Sequence, residues 1–266
     1  ANIKINLEDF EKKVPILANL KPHGDYLMYH LHKIGGIRVV MKKLQDMNLL
    51  YDDCLAINGK TLKENLANIE YKKIFEENNN LLKKRKNESH IKILRGNLAK
   101  NGAVAKITGK EGNYFSGRAR VFDSENEFII ALENNEIQKG NVIVIRFQGP
   151  KGGPGMPEML KPTSAIVGYG LQNDVAFITD GRFSGGSHGF IIGHMSPEAY
   201  EGGLIGKVCD GDMITIDIKN NSIELNVSNK ELSKRKIKIK NDNLTGYLNK
   251  YRKNVSGAEE GCVTDL

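Results

Sequence analysis

Two stretches of this 266-residue chain combine residue types that can do chemistry. One is TDGRFSGGSHG, Thr179 to Gly189, where Ser184, Ser187 and His188 sit among four glycines directly after the apolar run VAFI. Glycine leaves backbone N–H groups unobstructed, and such groups can hold an anion or a developing oxyanion. Ser184 reads equally well as a turn serine and as a catalytic one. His188 reads more naturally as a hydrogen-bonded loop histidine than as a metal ligand. The pattern is not G-x-S-x-G and no capped helix clearly follows, which argues against a nucleophile elbow.

The other stretch is GPKGGPGMPEMLKP, Gly149 to Pro162, after the run VIVIRF. Four of the chain's seven prolines fall here together with four glycines, so covalent geometry rather than packing sets the path of the loop. Such a loop can hold one side chain rigidly, and the candidate is Glu158, whose carboxylate suits Mg²⁺. Composition alone favours the alternative, a structural loop with Glu158 facing solvent. Weaker features read as structural. Asp210-Gly211-Asp212 has the composition of a turn. His30 and His32, two apart, would not share a helix face. Cys54, Cys209 and Cys262 are isolated and odd in number, which argues against a disulfide framework and against a zinc site built from this chain alone.

These loops need elements to position them. From residue 90 onward, IKILR, AVAKI, RARVF, VIVIRF, VAFI, MITIDI and SIELNV are short apolar or alternating runs bounded by Gly, Asn and Asp, which predicts strands. Ser124 and Ser228, each with a Glu three residues on, cap two interrupting helices. The first 80 or so residues read as more helical. Ile37, Val40, Met41, Leu44 and Met47 have helical spacing, an Asn58-Gly59 turn follows, and Thr61 to Glu64 has the capping-box spacing. Residues 70–89 are polar and read as a boundary or an exposed helix fading into a linker. The fold class expected is α+β, a C-terminal β-barrel-like domain with a few helices, preceded by a mainly helical segment.

A charge of +7, spread along the chain and mixed with acids, suits a small anionic substrate. The one dense basic run, KKRK at Lys83 to Lys86, has no interleaved aromatics and reads as a solvated linker, not a nucleic-acid site. No apolar run approaches the roughly 20 residues of a membrane helix. The start, ANIKINLEDF, shows no leader pattern and reads as though it begins in mid-protein.

Taken together, LKPHGDYLMYHLHKIGG, LRGNLAKNGAVAKITGKEG, ARVFDSE, GPKGGPGMPEMLKPTSAIVGYGL, ITDGRFSGGSHGFIIGHMSPEAYEGG and VSGAEEGCVTD resemble the C-terminal part of a dehydratase family. That family holds the dihydroxy-acid, 6-phosphogluconate and sugar-acid dehydratases, and FSGGSHGFIIGH resembles the branched-chain dihydroxy-acid members. The resemblance implies loss of water from 2,3-dihydroxy-3-methylbutanoate and 2,3-dihydroxy-3-methylpentanoate to give the 2-keto acids that precede valine and isoleucine. It implies an iron–sulfur cluster, 2Fe–2S or 4Fe–4S, whose ligands lie outside this chain, and Mg²⁺. It makes Glu158 a Mg²⁺ ligand and Ser184 the proton acceptor, with Ser187 and His188 as contacts to the substrate carboxylate. It divides the chain into residues 1–84, the tail of a missing N-terminal α/β domain, and residues 85–266, the C-terminal β-barrel domain. It further implies a homodimer when full-length, in the bacterial cytoplasm or in a plastid or mitochondrial matrix. The chain alone is expected to be inactive. The alternatives are a related sugar-acid or phosphogluconate dehydratase, or a non-catalytic short homologue or subunit of a split enzyme.

Overall fold

The computed structural model describes residues 9–10, 13–82, 90–107, 111–239 and 244–265. The basic run at Lys83 to Lys86 therefore lies outside the described residues. The chain forms two compact units that divide after His90.

The first unit is helical, with α1 (Met28–Lys33), α2 (Ile37–Asp46), α3 (Leu62–Leu66), α4 (Tyr71–Glu77) and α5 (Asn79–Leu82). The capping box forms as its spacing predicts: the Glu64 N–H donates to Thr61 Oγ1 at 3.2 Å, and the Thr61 N–H donates to Glu64 Oε2 at 2.7 Å. Leu31, Val39, Leu81 and Leu82 make a small core. The helix α2 is where periodicity expects it, but the buried positions are Val39 and Lys43, while Ile37 is 57% exposed. Lys43 can be buried because its ammonium donates to the carbonyls of Leu17, at 2.7 Å, and Leu82, while its stem packs as an apolar chain.

The second unit is built on one eight-stranded sheet, and the whole molecule is α+β. The strands are β1 (Ile91–Leu94), β2 (Gly102–Lys106), β3 (Tyr114–Phe122), β4 (Asn141–Ile145), β5 (Ala176–Thr179), β6 (Phe190–Ser196), β7 (Met213–Asp217) and β8 (Ser222–Leu225). Their order is β1-β2-β6-β5-β4-β3-β7-β8. Beyond β1, the Arg95 N–H donates to the Asn221 carbonyl and the Ile223 N–H to the Arg95 carbonyl, both at 2.9 Å. The two sheet edges thus meet and nearly close a barrel.

The middle of the sheet, β3-β4-β5-β6, is parallel. Helix α6 (Glu125–Glu133) joins β3 to β4 and α7 (Leu160–Gly168) lies between β4 and β5. Val142, Val144, Ala176 and Ile178 face the barrel interior, and Ile143, Ile145 and Phe177 face the layer that holds Phe128 and Ile166 of the two helices. Burial on both faces explains why these strands read as continuous apolar runs rather than alternating ones. Two further helices complete the unit, α8 (Asn229–Lys234), capped by Ser228, and α9 (Gly246–Asn254).

Three expectations need correcting. FIIGHMS, absent from the runs that predict strands, forms strand β6. The Pro/Gly loop ends at Met159 rather than Pro162, because Pro162 lies in the first turn of α7, where a missing N–H costs no helical bond. Helix α9 arises from a polar segment without a strong apolar stripe and was not anticipated.

Candidate functional site

Both chemistry-bearing loops leave the carboxyl ends of adjacent parallel strands, the end at which such sheets bind ligands. The first follows β4. Its root is held by Asp180, the residue after β5, which is 0% exposed. The Asp180 carboxylate accepts the N–H groups of Phe147 (3.1 Å), Gln148 (2.8 Å) and Ala199 (2.9 Å). Burial pushes this carboxyl up from its usual range, against the three N–H groups that favour its charged form.

The tip of the same loop is held by Glu198, 3% exposed, which accepts the N–H groups of Lys151 (2.8 Å) and Gly152 (2.7 Å). Burial pushes Glu198 up to about 7, the two N–H groups oppose this, and the charges of Asp180 and Glu201 add to it. Gly149 must lack a side chain here, since a Cβ would lie 2.5 Å from Glu198 Oε2. The carbonyls of the tip are taken as well: Arg252 donates from Nε to the Lys151 carbonyl at 2.7 Å, while its guanidinium stacks 4.7 Å from the centre of the Tyr200 ring.

Glu158 stands at the end of this loop, half-buried, in a parallel bridge with Arg182. The Met159 N–H donates to the Arg182 carbonyl at 2.8 Å, and Arg182 Nε donates to the Met156 carbonyl at 2.7 Å. Ser184 follows Arg182 by two residues, so one bridge ties the two loops at their candidate residues.

The second loop, residues 180–189, returns the chain from β5 to the parallel strand β6 without a helix. This is a short path for a parallel crossover, and its glycines allow it. At Gly189, with φ +99°, a Cβ would meet the Gln172 carbonyl oxygen at 2.3 Å. Ser184 Oγ accepts the Gly186 N–H, and the Ser184 carbonyl accepts the Ser187 N–H, both at 3.2 Å. The ammonium of Lys106, on β2, donates to the carbonyls of Gly185 and Ser187, the latter at 2.7 Å. Ser187 is 7% exposed, and its buried hydroxyl finds no partner among the described residues.

Beside this loop lies a cavity of about 250 Å³. Leu160, Thr163, Ser164 and Val167, one side of α7, form one wall, and Ser184, Gly186, Ser187 and His188 form the other. Ser184, Ser187 and His188 are thus brought together. Glu158 reaches them through the bridge to Arg182 but does not line the cavity.

The sequence reading missed Lys106, Asp180 and Glu198. A signal existed for two of them: a lone lysine inside AVAKI and an aspartate directly after an all-apolar strand are charges that burial must pair. Among the described residues, no three His, Cys, Asp or Glu side chains converge on a metal site. Cys54, Cys209 and Cys262 are free thiols, and this set does not fit an iron–sulfur cluster. A single carboxylate such as that of Glu158 does not make a complete Mg²⁺ site.

Comparison with known proteins gives the family. A family model described as dihydroxy-acid/6-phosphogluconate dehydratase C-terminal matches residues 79–262, and its N-terminal counterpart matches residues 1–65. The chain belongs to the dihydroxy-acid/6-phosphogluconate dehydratase family. Relatives named dihydroxy-acid dehydratase include one from Francisella tularensis subsp. tularensis, 54% identical over 100% of this chain and 49% of the relative. Another from Flavobacterium psychrophilum is 53% identical over 99% of this chain and 49% of its own length. A protein named dihydroxy-acid dehydratase 2, from Acinetobacter baylyi, is 51% identical over 100% of this chain and 49% of the relative. The chain spans about half the length of the curated relatives it matches. Among the described residues, no helix is long and apolar enough to cross a membrane.

Proposed function

We propose that this chain is the serine-bearing half of a dihydroxy-acid dehydratase acting on 2,3-dihydroxy-3-methylbutanoate and 2,3-dihydroxy-3-methylpentanoate. Residues 85–266 are the barrel domain that carries the base, and residues 1–84 are the tail of the cluster-binding domain. The whole protein is a homodimer, and the bacterial relatives favour a cytoplasmic setting. The observation that carries this reading is the bridge between Glu158 and Arg182, two residues before Ser184, at the carboxyl ends of two parallel strands.

In this reading Ser184 Oγ, as the alkoxide, takes the proton from C2 while the C3–O bond breaks and hydroxide leaves. The proton and the hydroxide together make up the water lost. The resulting enol becomes the 2-keto acid when its 2-hydroxyl proton is lost and a proton is added at C3. A serine hydroxyl is almost wholly protonated at neutral pH, so it needs N–H donors and a nearby cation to act as a base. The Gly186 N–H on Ser184 Oγ is one such donor. Ser187 and His188, on the wall of the cavity, contact the substrate carboxylate. Glu158 is the ligand this chain gives to Mg²⁺, which when bound would hold the substrate carboxylate and 2-hydroxyl.

The test uses the protein as its own host makes it, purified without oxygen and assayed for 2-keto acid formation with Mg²⁺. Ser184→Ala is expected to lower kcat by about 10²- to 10⁴-fold, the usual range for a lost general base, with the fold intact. A Ser184→Ala protein that keeps its rate would overturn the reading.

A further inference from the structure

The anchoring of the Ser184 loop supports an inference that rests on Ser184 as the base but concerns a different residue. Lys106 is 7% exposed and lies on β2, two positions after Val104, which pairs with Gly193 of β6. Its ammonium reaches 79 residues along the chain to the Gly185 carbonyl and 81 residues to the Ser187 carbonyl. In a trans peptide the carbonyl of one residue and the N–H of the next point in opposite directions. A cation that draws in the Gly185 carbonyl therefore turns the Gly186 N–H outward, and this N–H is the one that donates to Ser184 Oγ. By the same geometry, holding the Ser187 carbonyl turns the His188 N–H away from Lys106.

We propose that Lys106 is a positioning residue for the base: by taking up the carbonyls of Gly185 and Ser187, it orients the peptide units so that the Gly186 N–H is aimed at Ser184 Oγ. The donor on that oxygen is then preset before the C2 proton moves, which is where preorganised N–H groups have most effect. Burial pushes Lys106 down to about 8, opposed by the charge of Glu111, so the ammonium form still predominates at neutral pH.

The test reads amide hydrogen exchange by NMR in the full chain. Lys106→Met keeps the stem and removes the donors. It is expected to speed exchange at Gly186 by about tenfold, the equivalent of one lost hydrogen bond, while Ile143 and Ile178 in the central strands keep their protection. Lys106→Arg, which retains charge and donors, is expected to restore slow exchange at Gly186. In the active protein, Lys106→Met should lower kcat with little change in KM. Unchanged Gly186 exchange in Lys106→Met would overturn the proposal.

Should Lys106→Met fail to fold, the unmodified protein decides. Its Lys106 ammonium protons should exchange far more slowly than those of exposed Lys230, and equal rates would overturn the proposal. The two readings fail separately. If Ser184→Ala keeps its activity while Lys106→Met frees the Gly186 amide, the base assignment falls and the role of Lys106 in the loop stands. If Ser184→Ala is inactive while the amide does not respond, only Lys106 is wrong.

Discussion

The two loops are neighbours at the carboxyl ends of β4 and β5, yet they are anchored with opposite polarity. The Pro/Gly loop has its N–H groups taken by buried carboxylates: Phe147 and Gln148 by Asp180, Lys151 and Gly152 by Glu198. Its carbonyls at Lys151 and Met156 are taken by Arg252 and Arg182. With both sides of the backbone engaged, what this loop offers is a side chain, Glu158. The Ser184 loop is held by a buried cation that takes two carbonyls, while the Gly186 and Ser187 N–H groups turn back onto Ser184 itself. One loop is a mount for a carboxylate and the other a mount for a hydroxyl, Ser184 Oγ, with a backbone donor on it. Their juxtaposition suits a reaction in which one oxygen site holds a cation and another stabilises negative charge.

The largest expected effect is at Asp180. Asp180→Ala strands the buried N–H groups of Phe147, Gln148 and Ala199, each costing about 1–3 kcal/mol. A loss of about 4 kcal/mol or more is expected in denaturant unfolding, relaxed in part by water entering the gap. A loss under about 1 kcal/mol would break the comparison, because the Pro/Gly loop would then not depend on its buried acceptors.

Glu198 comes next, through pH. Its folded value is raised to about 7 from 4.5, so the folded protein holds the proton more tightly than the unfolded chain. The stability this adds is complete below about pH 4.5 and is lost as pH rises toward 7. A shift of this size amounts to about 3 kcal/mol at most. The difference in unfolding free energy between wild type and Glu198→Gln should therefore fall across that window and flatten above it. A difference that rises with pH would mean that the N–H groups of Lys151 and Gly152 outweigh burial, making this loop a stronger carboxylate site than the structure implies.

Much of this architecture was legible from local pattern. Seven of the strands and the Ser124, Ser228 and Thr61 caps depend on neighbours within a few residues, which the chain displays directly. Strand β6 was hidden by Gly193 and His194 in its middle, which look like a break. Gly193 is there because a Cβ would meet Phe183 Cδ1 at 2.7 Å, a contact that only the folded loop creates. Helix α7 was masked by Pro162, a residue that ends helices in general but is tolerated in a first turn. The candidate residues Glu158, Ser184, Ser187 and His188 stood out because glycine and proline mark their loops. Their anchors did not, since Asp180 lies 33 residues from Phe147, Glu198 lies 47 from Lys151 and Lys106 lies 79 from Gly185. Local spacing identifies what a loop carries, whereas the charges that aim it come from strands far along the chain.

The smallest expected effect separates stability from function on the hydroxyl side of the comparison. The Ser187 hydroxyl is buried on the cavity wall with no partner among the described residues. An unsatisfied buried hydroxyl carries a desolvation cost, so Ser187→Ala should leave unfolding free energy unchanged or raise it by up to about 1 kcal/mol. The lysine clamp is on the Ser187 carbonyl, not its side chain, and so survives the substitution. If the hydroxyl meets a substrate carboxylate, the same variant should raise KM several-fold, the loss of about one hydrogen bond, with kcat little altered because binding rather than the transition state is weakened. A more stable protein with an unchanged KM would mean that the hydroxyl serves neither the fold nor the ligand, and the carboxylate contact would then have to be made by the other candidate, His188.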